Sequence, residues 1–240
     1  MFVHIFWQKL WLRNWLLSSC CSIKYQFPFF VCTYPSPTPC FGRQQDAQEF
    51  LRYLLEGLHI EVNRVTKRPH PVIPDYAAED RLADREKAEI YWKRYLAMDN
   101  SEIVDLFVGQ LMSTLECTEC GFKSTTFDPF WDLSLPIPKK TNVNIVDCLR
   151  LFTSKEDLDG NERPICGRCK VRRRCTKSFS IQKFPRILVL HLKRFSGERF
   201  RSKMSLLVDY PITDLNMIEY ASPSCKYILC ICMFLCLIIP

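Results

Sequence analysis

Four cysteines in two C-x-x-C pairs are the residues of this 240-residue chain whose spacing best fits a chemical role. Cys117 and Cys120 lie in Glu-Cys-Thr-Glu-Cys-Gly, and Cys166 and Cys169 lie in Ile-Cys-Gly-Arg-Cys-Lys. Two residues between cysteines allow one tight turn to aim both thiolates at a single ion, and two such turns complete a tetrahedral four-sulfur site. A closed site of this kind is typical of structural zinc, because it leaves no position for water. We therefore predict that these four cysteines bind one structural Zn²⁺.

The cysteine pairs allow two other interpretations. The thiols could be free and close together by chance, or one pair could be a redox motif. A redox C-x-x-C belongs to a thioredoxin-like βαβ unit, which the surrounding sequence does not resemble. The long separation between the pairs, residues 121–165, predicts that the zinc joins two distant hairpins.

The 14 cysteines also bear on the compartment. A secreted, disulfide-dense scaffold is excluded, because the chain is too long and its core too ordinary for that class. Thiolates that must stay available for a metal favour a reducing compartment. We therefore expect a cytoplasmic or nuclear protein.

The bulk composition fits one globular domain or slightly more, with 48% apolar and 25% charged residues. The net charge is +7, but acidic and basic residues are interspersed, so we expect no nucleic-acid partner. The basic run Arg172, Arg173, Arg174 and Lys177 indicates a solvated face. The apolar run at residues 227–239 is shorter than the roughly 20 residues that a membrane span needs, so we expect no span, with a membrane-inserted tail kept as an alternative.

Hydrophobic periodicity predicts the elements that surround the cysteines. The pattern predicts a helix over residues 44–65, a charged helix over 79–98 and a short helix from Ser101 to near Gly109. Strands are predicted over 110–116, from Gly121 to Phe127, and over 130–137, where apolar residues alternate. Asn144 is expected to cap a helix that ends at Thr153. The nearly continuous apolar segment 186–195 predicts a strand that is buried on both faces.

The ordered motifs resemble those of the ubiquitin-specific cysteine proteases. They are Gln44-Gln-Asp-Ala-Gln-Glu-Phe50, Val108-Gly-Gln-Leu111, the two cysteine pairs, Asp128-Pro-Phe-Trp-Asp-Leu-Ser-Leu-Pro-Ile137 and Phe184-Pro-Arg-Ile-Leu-Val-Leu-His-Leu-Lys-Arg-Phe195. The resemblance implies an α+β fold of the papain-like cysteine protease superfamily, built as thumb, palm and zinc-bound fingers that grip ubiquitin. It covers residues 42–220, with thumb helices in 44–108 and fingers and palm in 109–220.

The resemblance also implies a role for Asp46 and Glu49 at the start of the first helix. The family uses the acidic residues at these positions to contact the basic C-terminal tail of ubiquitin. The spacing alone instead favours a capping box, in which the first carboxylate accepts a hydrogen bond from the helix backbone. Exposed carboxylates in a first turn can serve both purposes, so both interpretations are kept.

The family's catalytic residues have no match in this sequence. Its nucleophilic cysteine lies in a Gly-Asn-Thr-Cys box at a helix start, and its histidine in an Asn-His-x-Gly context. Cys40 follows Pro39 and leaves no room for a helix of its own, and His191 matches a non-catalytic position. We therefore predict no catalytic residue and an inactive, partial ubiquitin-specific protease, with a non-catalytic zinc-stabilised ubiquitin-binding module as the alternative.

The flanks 1–41 and 221–240 differ from the middle of the chain. Both are apolar without amphipathic order. This contrast favours the hypothesis of a truncated or mis-spliced product. If helices and strands of the family domain are missing, the helix at residue 44 and the strand at 187 are expected to expose apolar faces, which favours aggregation.

Overall fold

The computed structural model describes residues 47–70, 74–194, 204, 206–211, 215–225 and 231–234, which belong to one compact unit of the chain. Asp46, Cys40 and the leader 1–41 lie outside these residues. The described helices are α1 (Ala47–Glu61), α2 (Tyr76–Glu79), α3 (Asp84–Met98), α4 (Glu102–Phe107) and α5 (Ile145–Thr153). The described strands are β1 (Gly109–Cys117), β2 (Lys123–Phe130), β3 (Leu133–Leu135), β4 (Val143–Asn144), β5 (Glu156–Leu158), β6 (Cys175–Lys183), β7 (Ile187–Leu192), β8 (Val208–Asp209) and β9 (Ile231–Phe234).

The strands form three sheets of different construction. The largest is antiparallel with the order β2-β1-β6-β5, and β1 pairs along its whole length with both neighbours. A parallel sheet has the order β3-β7-β9, and β4 pairs with β8 in a short parallel ribbon. Helices precede the large sheet in the chain and α5 packs between sheets, so the predicted α+β class is confirmed.

The main hydrophobic core lies around β3, β7 and α5. Leu188, Val189 and Leu190 of β7 are all buried, as the continuous apolar pattern predicted. The expected exposure of this strand was wrong, because β3 and β9 pair on its two edges and α5 shares its core. The expected exposure on α1 is confirmed only in part, since Phe50 of its apolar stripe is exposed but Leu55 is buried.

Residues 130–137 do not form the single strand that their alternation predicted. Phe130 ends β2 in the large sheet, whereas Leu133 begins β3 in the parallel sheet. The chain turns at Trp131 and Asp132. The Arg52 guanidinium lies 5.1 Å from the centre of the Trp131 ring, and the Asp132 carboxylate accepts hydrogen bonds from Gln48. Contacts with α1 therefore fix a corner that local alternation does not reveal.

The predicted cap of α5 is confirmed in full. The Asn144 side chain accepts from the backbone N–H of Asp147 at 2.8 Å, and the Asp147 carboxylate accepts from the backbone N–H of Asn144 at 3.1 Å. Lys140 lies 2.7 Å from the same carboxylate, and these partners lower the pKa of Asp147. The helix start is thus fixed by local chemistry.

Helix α3 packs against β2, and charged groups are buried between α2 and α3. The carboxylate of Glu79, which is 5% exposed, pairs with the Arg94 guanidinium on α3. Lys87, also buried, donates to Asp80 at 2.7 Å. Gln110 of β1 donates to the carbonyl oxygen of Ala88 at 3.0 Å, which ties α3 to the sheet. Buried charges are tolerated only when paired in this way.

Among the described residues, no helix has the length and apolar content needed to cross a membrane.

Candidate metal centre

The four predicted zinc ligands meet at one end of the large sheet. The Sγ atoms of Cys117, Cys120, Cys166 and Cys169 all lie within 4.8 Å of one another. The Sγ atoms of Cys120 and Cys166 are 3.5 Å apart. Cys117 and Cys166 are buried, and the other two are half-buried. The structure thus brings together residues that are distant in sequence.

Two turns with the same backbone geometry present the thiols. We call residues 117–122 the first knuckle and residues 166–171 the second knuckle. In the first, Gly121 N–H donates to Cys117 C=O at 2.9 Å and Cys117 N–H donates to Phe122 C=O at 2.9 Å. In the second, the equivalent bonds run from Lys170 to Cys166 at 2.8 Å and from Cys166 to Val171 at 3.0 Å. The spacing C-x-x-C therefore encodes one turn used twice.

Each knuckle needs a left-handed residue directly after its second cysteine. Gly121 has φ 65° and Lys170 has φ 60°. Glycine adopts this conformation without a steric penalty, whereas a side chain costs on the order of 1 kcal/mol.

Exchanging these two residue types is expected to change stability in opposite directions. Gly121→Ala should lower the free energy of unfolding by about 1 kcal/mol, and Lys170→Gly should raise it by about 0.5 kcal/mol. A Cβ at Gly121 meets no atom within 4 Å, so the loss reports backbone strain alone. Urea denaturation of the metal-loaded protein measures both values. Equal effects of the same sign in the two variants contradict the equivalence of the knuckles.

The two knuckles also pack directly on each other. A Cβ built on Gly167 would lie 2.9 Å from the ring of Phe122, so only glycine fits beneath that ring. The Arg168 guanidinium lies 5.4 Å from the Phe122 ring centre and donates to the carbonyl oxygen of Cys120 at 3.2 Å. These contacts hold the knuckles at the separation that the sulfur cluster requires.

Backbone N–H groups favour the thiolate form at the first cysteine of each knuckle. The N–H of Cys120 lowers the pKa of Cys117, and the N–H of Cys169, 3.4 Å from the Cys166 sulfur, lowers the pKa of Cys166 to about 6. The pKa of Cys169 is raised, chiefly by its hydrogen bond with Cys120. Four adjacent sulfurs cannot all ionise without a cation to offset the charge.

The cluster fits a structural zinc ion. Zn–S bonds of about 2.3 Å in a tetrahedron place the sulfurs about 3.8 Å apart, close to the separations found here. Four thiols complete the coordination, so the centre has no position for a reacting water. This centre can hold the fold together but does no chemistry of its own.

The start of α1, where the second predicted site lies, is tied to the corner between β2 and β3. Gln48 donates to both carboxylate oxygens of Asp132 at 3.2 Å. Glu49 in the first turn is exposed and has no ion-pair partner among the described residues. Asp46, the other predicted contact, lies outside the described residues. Within the part of the chain that the structure describes, the Glu49 carboxylate therefore faces no cationic side chain that neutralises it.

Cys148 and His59 are two buried groups outside the cluster. Cys148 is fully buried, and burial raises its pKa to about 11. His59 contacts Ser101 at 2.7 Å and Asp99 at 3.4 Å, an arrangement that outwardly resembles a serine-protease triad. Ser101 is 0% exposed and caps α4 by accepting from Val104 N–H, so it is not accessible to a substrate. His59 and Ser101 are 42 residues apart in the sequence, so no local pattern predicted this cluster.

The sequence model of the family described as "Ubiquitin carboxyl-terminal hydrolase" matches residues 25–228. Ubiquitin carboxyl-terminal hydrolase 2 of Gallus gallus is 59% identical over 187 residues, which cover 77% of this chain and 52% of the relative. The human protein of the same name is 56% identical over 77% of this chain and 30% of its own length. Human ubiquitin carboxyl-terminal hydrolase 21 is 47% identical over 80% of this chain and 38% of its own length.

Solved structures show the same likeness. The chain matched in the "SAGA Ubp8/Sgf11/Sus1/Sgf73 DUB module bound to ubiquitin aldehyde" has a TM-score of 0.52 and 32% identity, over 75% of this chain and 33% of that chain. A second structure of that module gives a TM-score of 0.53 and 31% identity, over 75% and 36% of the two chains. This chain thus spans about half the length of the chicken relative, and a third or so of the others.

Proposed function

We propose that this chain, which belongs to the ubiquitin carboxyl-terminal hydrolase family, binds ubiquitin on a zinc-stabilised platform and does not itself cleave it. The observation that carries the proposal is the four-cysteine cluster at the end of the large sheet. The cluster holds two hairpins together without offering a reactive site. A rigid sheet supported in this way suits binding rather than chemistry.

The zinc assignment rests on the donor set. Four thiolates and no oxygen or nitrogen ligand select a soft or borderline ion, and the tetrahedral spacing favours Zn²⁺. The ion would be held by Cys117, Cys120, Cys166 and Cys169 and would supply stability only. Thiols in this state require the reducing conditions of the cytoplasm or the nucleus.

The ubiquitin assignment rests on the family and on the described surface. One matched structural neighbour is bound to ubiquitin aldehyde. In this chain we assign residues 44–108 to the thumb and 109–220 to fingers and palm. The exposed carboxylate of Glu49, with Asp46 three residues earlier in the sequence, is proposed to contact the basic C-terminal tail of ubiquitin.

Reversing the charge of Glu49 is expected to weaken ubiquitin binding. Glu49→Arg places like charges together, and we expect the dissociation constant to rise about tenfold at low salt, with a smaller change at high salt. Fluorescence polarisation with labelled ubiquitin measures the effect. Glu61→Arg, on the exposed last turn of the same helix, is the matched control and should change binding less than twofold. Equal losses in the two variants would show that only net charge matters.

The absence of hydrolysis is proposed from the sequence and the described cysteines. No Gly-Asn-Thr-Cys box occurs in the sequence, and Cys148 is buried with a raised pKa. A thiolate at a helix start or beside a base is what nucleophilic cysteines require. A ubiquitin probe with a thiol-reactive C-terminus tests this directly. We expect reversible binding and no covalent product, and a covalent adduct would show that a cysteine of this chain is a competent nucleophile and would contradict the proposal.

A further inference from the structure

A fifth cysteine lies beside the metal centre. Cys175 begins β6, is 1% exposed and shares a buried cluster with Cys117 and Cys166. It is not one of the four thiols that lie within 4.8 Å of one another. Its Sγ instead lies 3.5 Å from the carbonyl oxygen of Arg173. Cys175 therefore lies immediately outside the ligand set.

The strand register places Cys175 directly opposite Cys117. The two residues are partners in the antiparallel pairing of β1 and β6. The next hydrogen bond runs from Thr118 N–H to Arg174 C=O at 3.1 Å, which makes Cys117 and Cys175 a pair without hydrogen bonds between them. In such pairs the Cα atoms are about 4.5 Å apart and the side chains lie close together on one face of the sheet.

Among the four ligands, Cys117 alone is the strand partner of Cys175, although Cys166 shares the same buried cluster. Cys120 and Cys169 belong to the outer ends of the knuckles, and Cys166 belongs to the second knuckle rather than to a strand that pairs with β6. If the thiolate of Cys117 is lost, the open position on the ion faces the side of the sheet that carries Cys175. A buried thiol next to an open zinc position loses its proton and binds.

We propose that Cys175 is a reserve ligand of the metal, which replaces Cys117 when that thiolate is unavailable. The bond from the metal to the Cys117 sulfur breaks and a bond to the Cys175 sulfur forms, while the Cys175 proton passes to the released Cys117 thiolate or, where that thiol is absent, to solvent. The metal keeps four sulfur ligands and no oxidation state changes. The inference rests on the zinc proposal above, and it makes the centre tolerant to loss of one specific ligand.

Cobalt(II) binding to the full chain tests the proposal, because the visible absorption of cobalt reports the number of thiolate ligands. We expect Cys117→Ala to bind one cobalt ion with a four-thiolate spectrum and an affinity reduced about tenfold. Adding Cys175→Ala should replace that spectrum with a three-thiolate spectrum and reduce affinity about a further hundredfold. Cys175→Ala alone should leave the wild-type spectrum unchanged.

Two controls isolate the specific pairing. Cys120→Ala should show a three-thiolate spectrum whether or not Cys175 is present, because the strand register pairs Cys175 with Cys117 and not with Cys120. Cys117→Ala with Cys148→Ala should behave like Cys117→Ala, since Cys148 is buried on α5 outside the cluster.

Three outcomes of the cobalt experiment would contradict different parts of the proposal. A wild-type chain that binds no cobalt overturns the metal centre itself. If wild type binds but Cys117→Ala, refolded with cobalt present, does not, or binds with three thiolates, the reserve ligand is overturned. A three-thiolate spectrum for Cys175→Ala alone would make Cys175 a resident ligand and would also overturn the proposal.

Discussion

Replacing Cys169 by alanine is expected to abolish tight zinc binding and to unfold the large sheet. The substitution removes one thiolate but keeps the backbone N–H that donates to the Cys166 sulfur. Structural zinc contributes about 10–16 kcal/mol of binding free energy in small zinc domains, which is comparable with the whole stability of a typical domain. Removal of the ion from wild type with a chelator should have the same effect. Zinc content and amide hydrogen exchange of β1 and β6 measure the result.

The matched control is Cys148→Ala, which also removes a buried thiol but lies in the main core. It should retain one zinc ion per chain and lose only about 1–2 kcal/mol of stability. If Cys169→Ala keeps wild-type exchange protection in β1 and β6, the sheet does not depend on the ion.

Replacing Arg94 by methionine should be the most damaging change outside the metal centre. The substitution leaves the buried carboxylate of Glu79 without its cation, and an unpaired buried charge costs about 3–5 kcal/mol. The double variant with Glu79→Gln should recover most of this loss, because no unpaired charge then remains buried. Urea denaturation at pH 7 measures both variants. Arg85→Met, whose exposed pair with Glu89 spans 3.9 Å, should cost less than about 0.5 kcal/mol.

The loss in the Arg94 variant should depend on pH in a defined direction. In wild type, the hydrogen bond from Arg94 lowers the pKa of Glu79, so this carboxyl adds stability above its unfolded pKa of about 4.3 and loses it as the pH falls further. Without Arg94, the burial that raises this pKa is opposed by the Tyr91 hydroxyl and Lys87 and no longer by the guanidinium, so we expect the folded pKa of Glu79 to rise above the unfolded value. The variant therefore becomes relatively more stable as the pH falls toward 4, and its deficit should shrink there. A deficit that is constant from pH 7 to pH 4 would show that Glu79 carries no stranded charge.

Local signals in the sequence predicted much of this structure. The zinc ligands follow from a two-residue spacing that one turn geometry imposes, and the cap of α5 follows from Asn144 and Asp147 three residues apart. The burial of β7 follows from its unbroken apolar pattern. Within each cysteine pair, within the cap and within the strand, the determining residues lie only a few positions apart. The family match shows that the ordered motifs carried the fold class as well.

Features set by distant contacts could not be predicted in the same way. The break at Trp131 depends on Arg52, and the buried pair of Glu79 and Arg94 joins two helices whose sequences look solvated. The place of Cys175 beside Cys117 depends on strand register, which no local pattern fixes. The predicted role of Glu49 remains a prediction, because it depends on a binding partner and not on contacts within this chain.

The distance along the chain between the two knuckles has a consequence during synthesis. Cys120 and Cys166, whose sulfurs nearly touch, are 46 residues apart. At the usual translation rate of about 5–20 residues per second, the first two thiols wait on the order of 2–10 s for their partners. During that interval the nascent chain presents only two of the four thiols. These two thiols are open to another soft ion or to an oxidant. Closing a loop of this length is fast beside that wait, so correct metallation depends on whether the first two thiols stay free of other ions and oxidants until the second pair is synthesised.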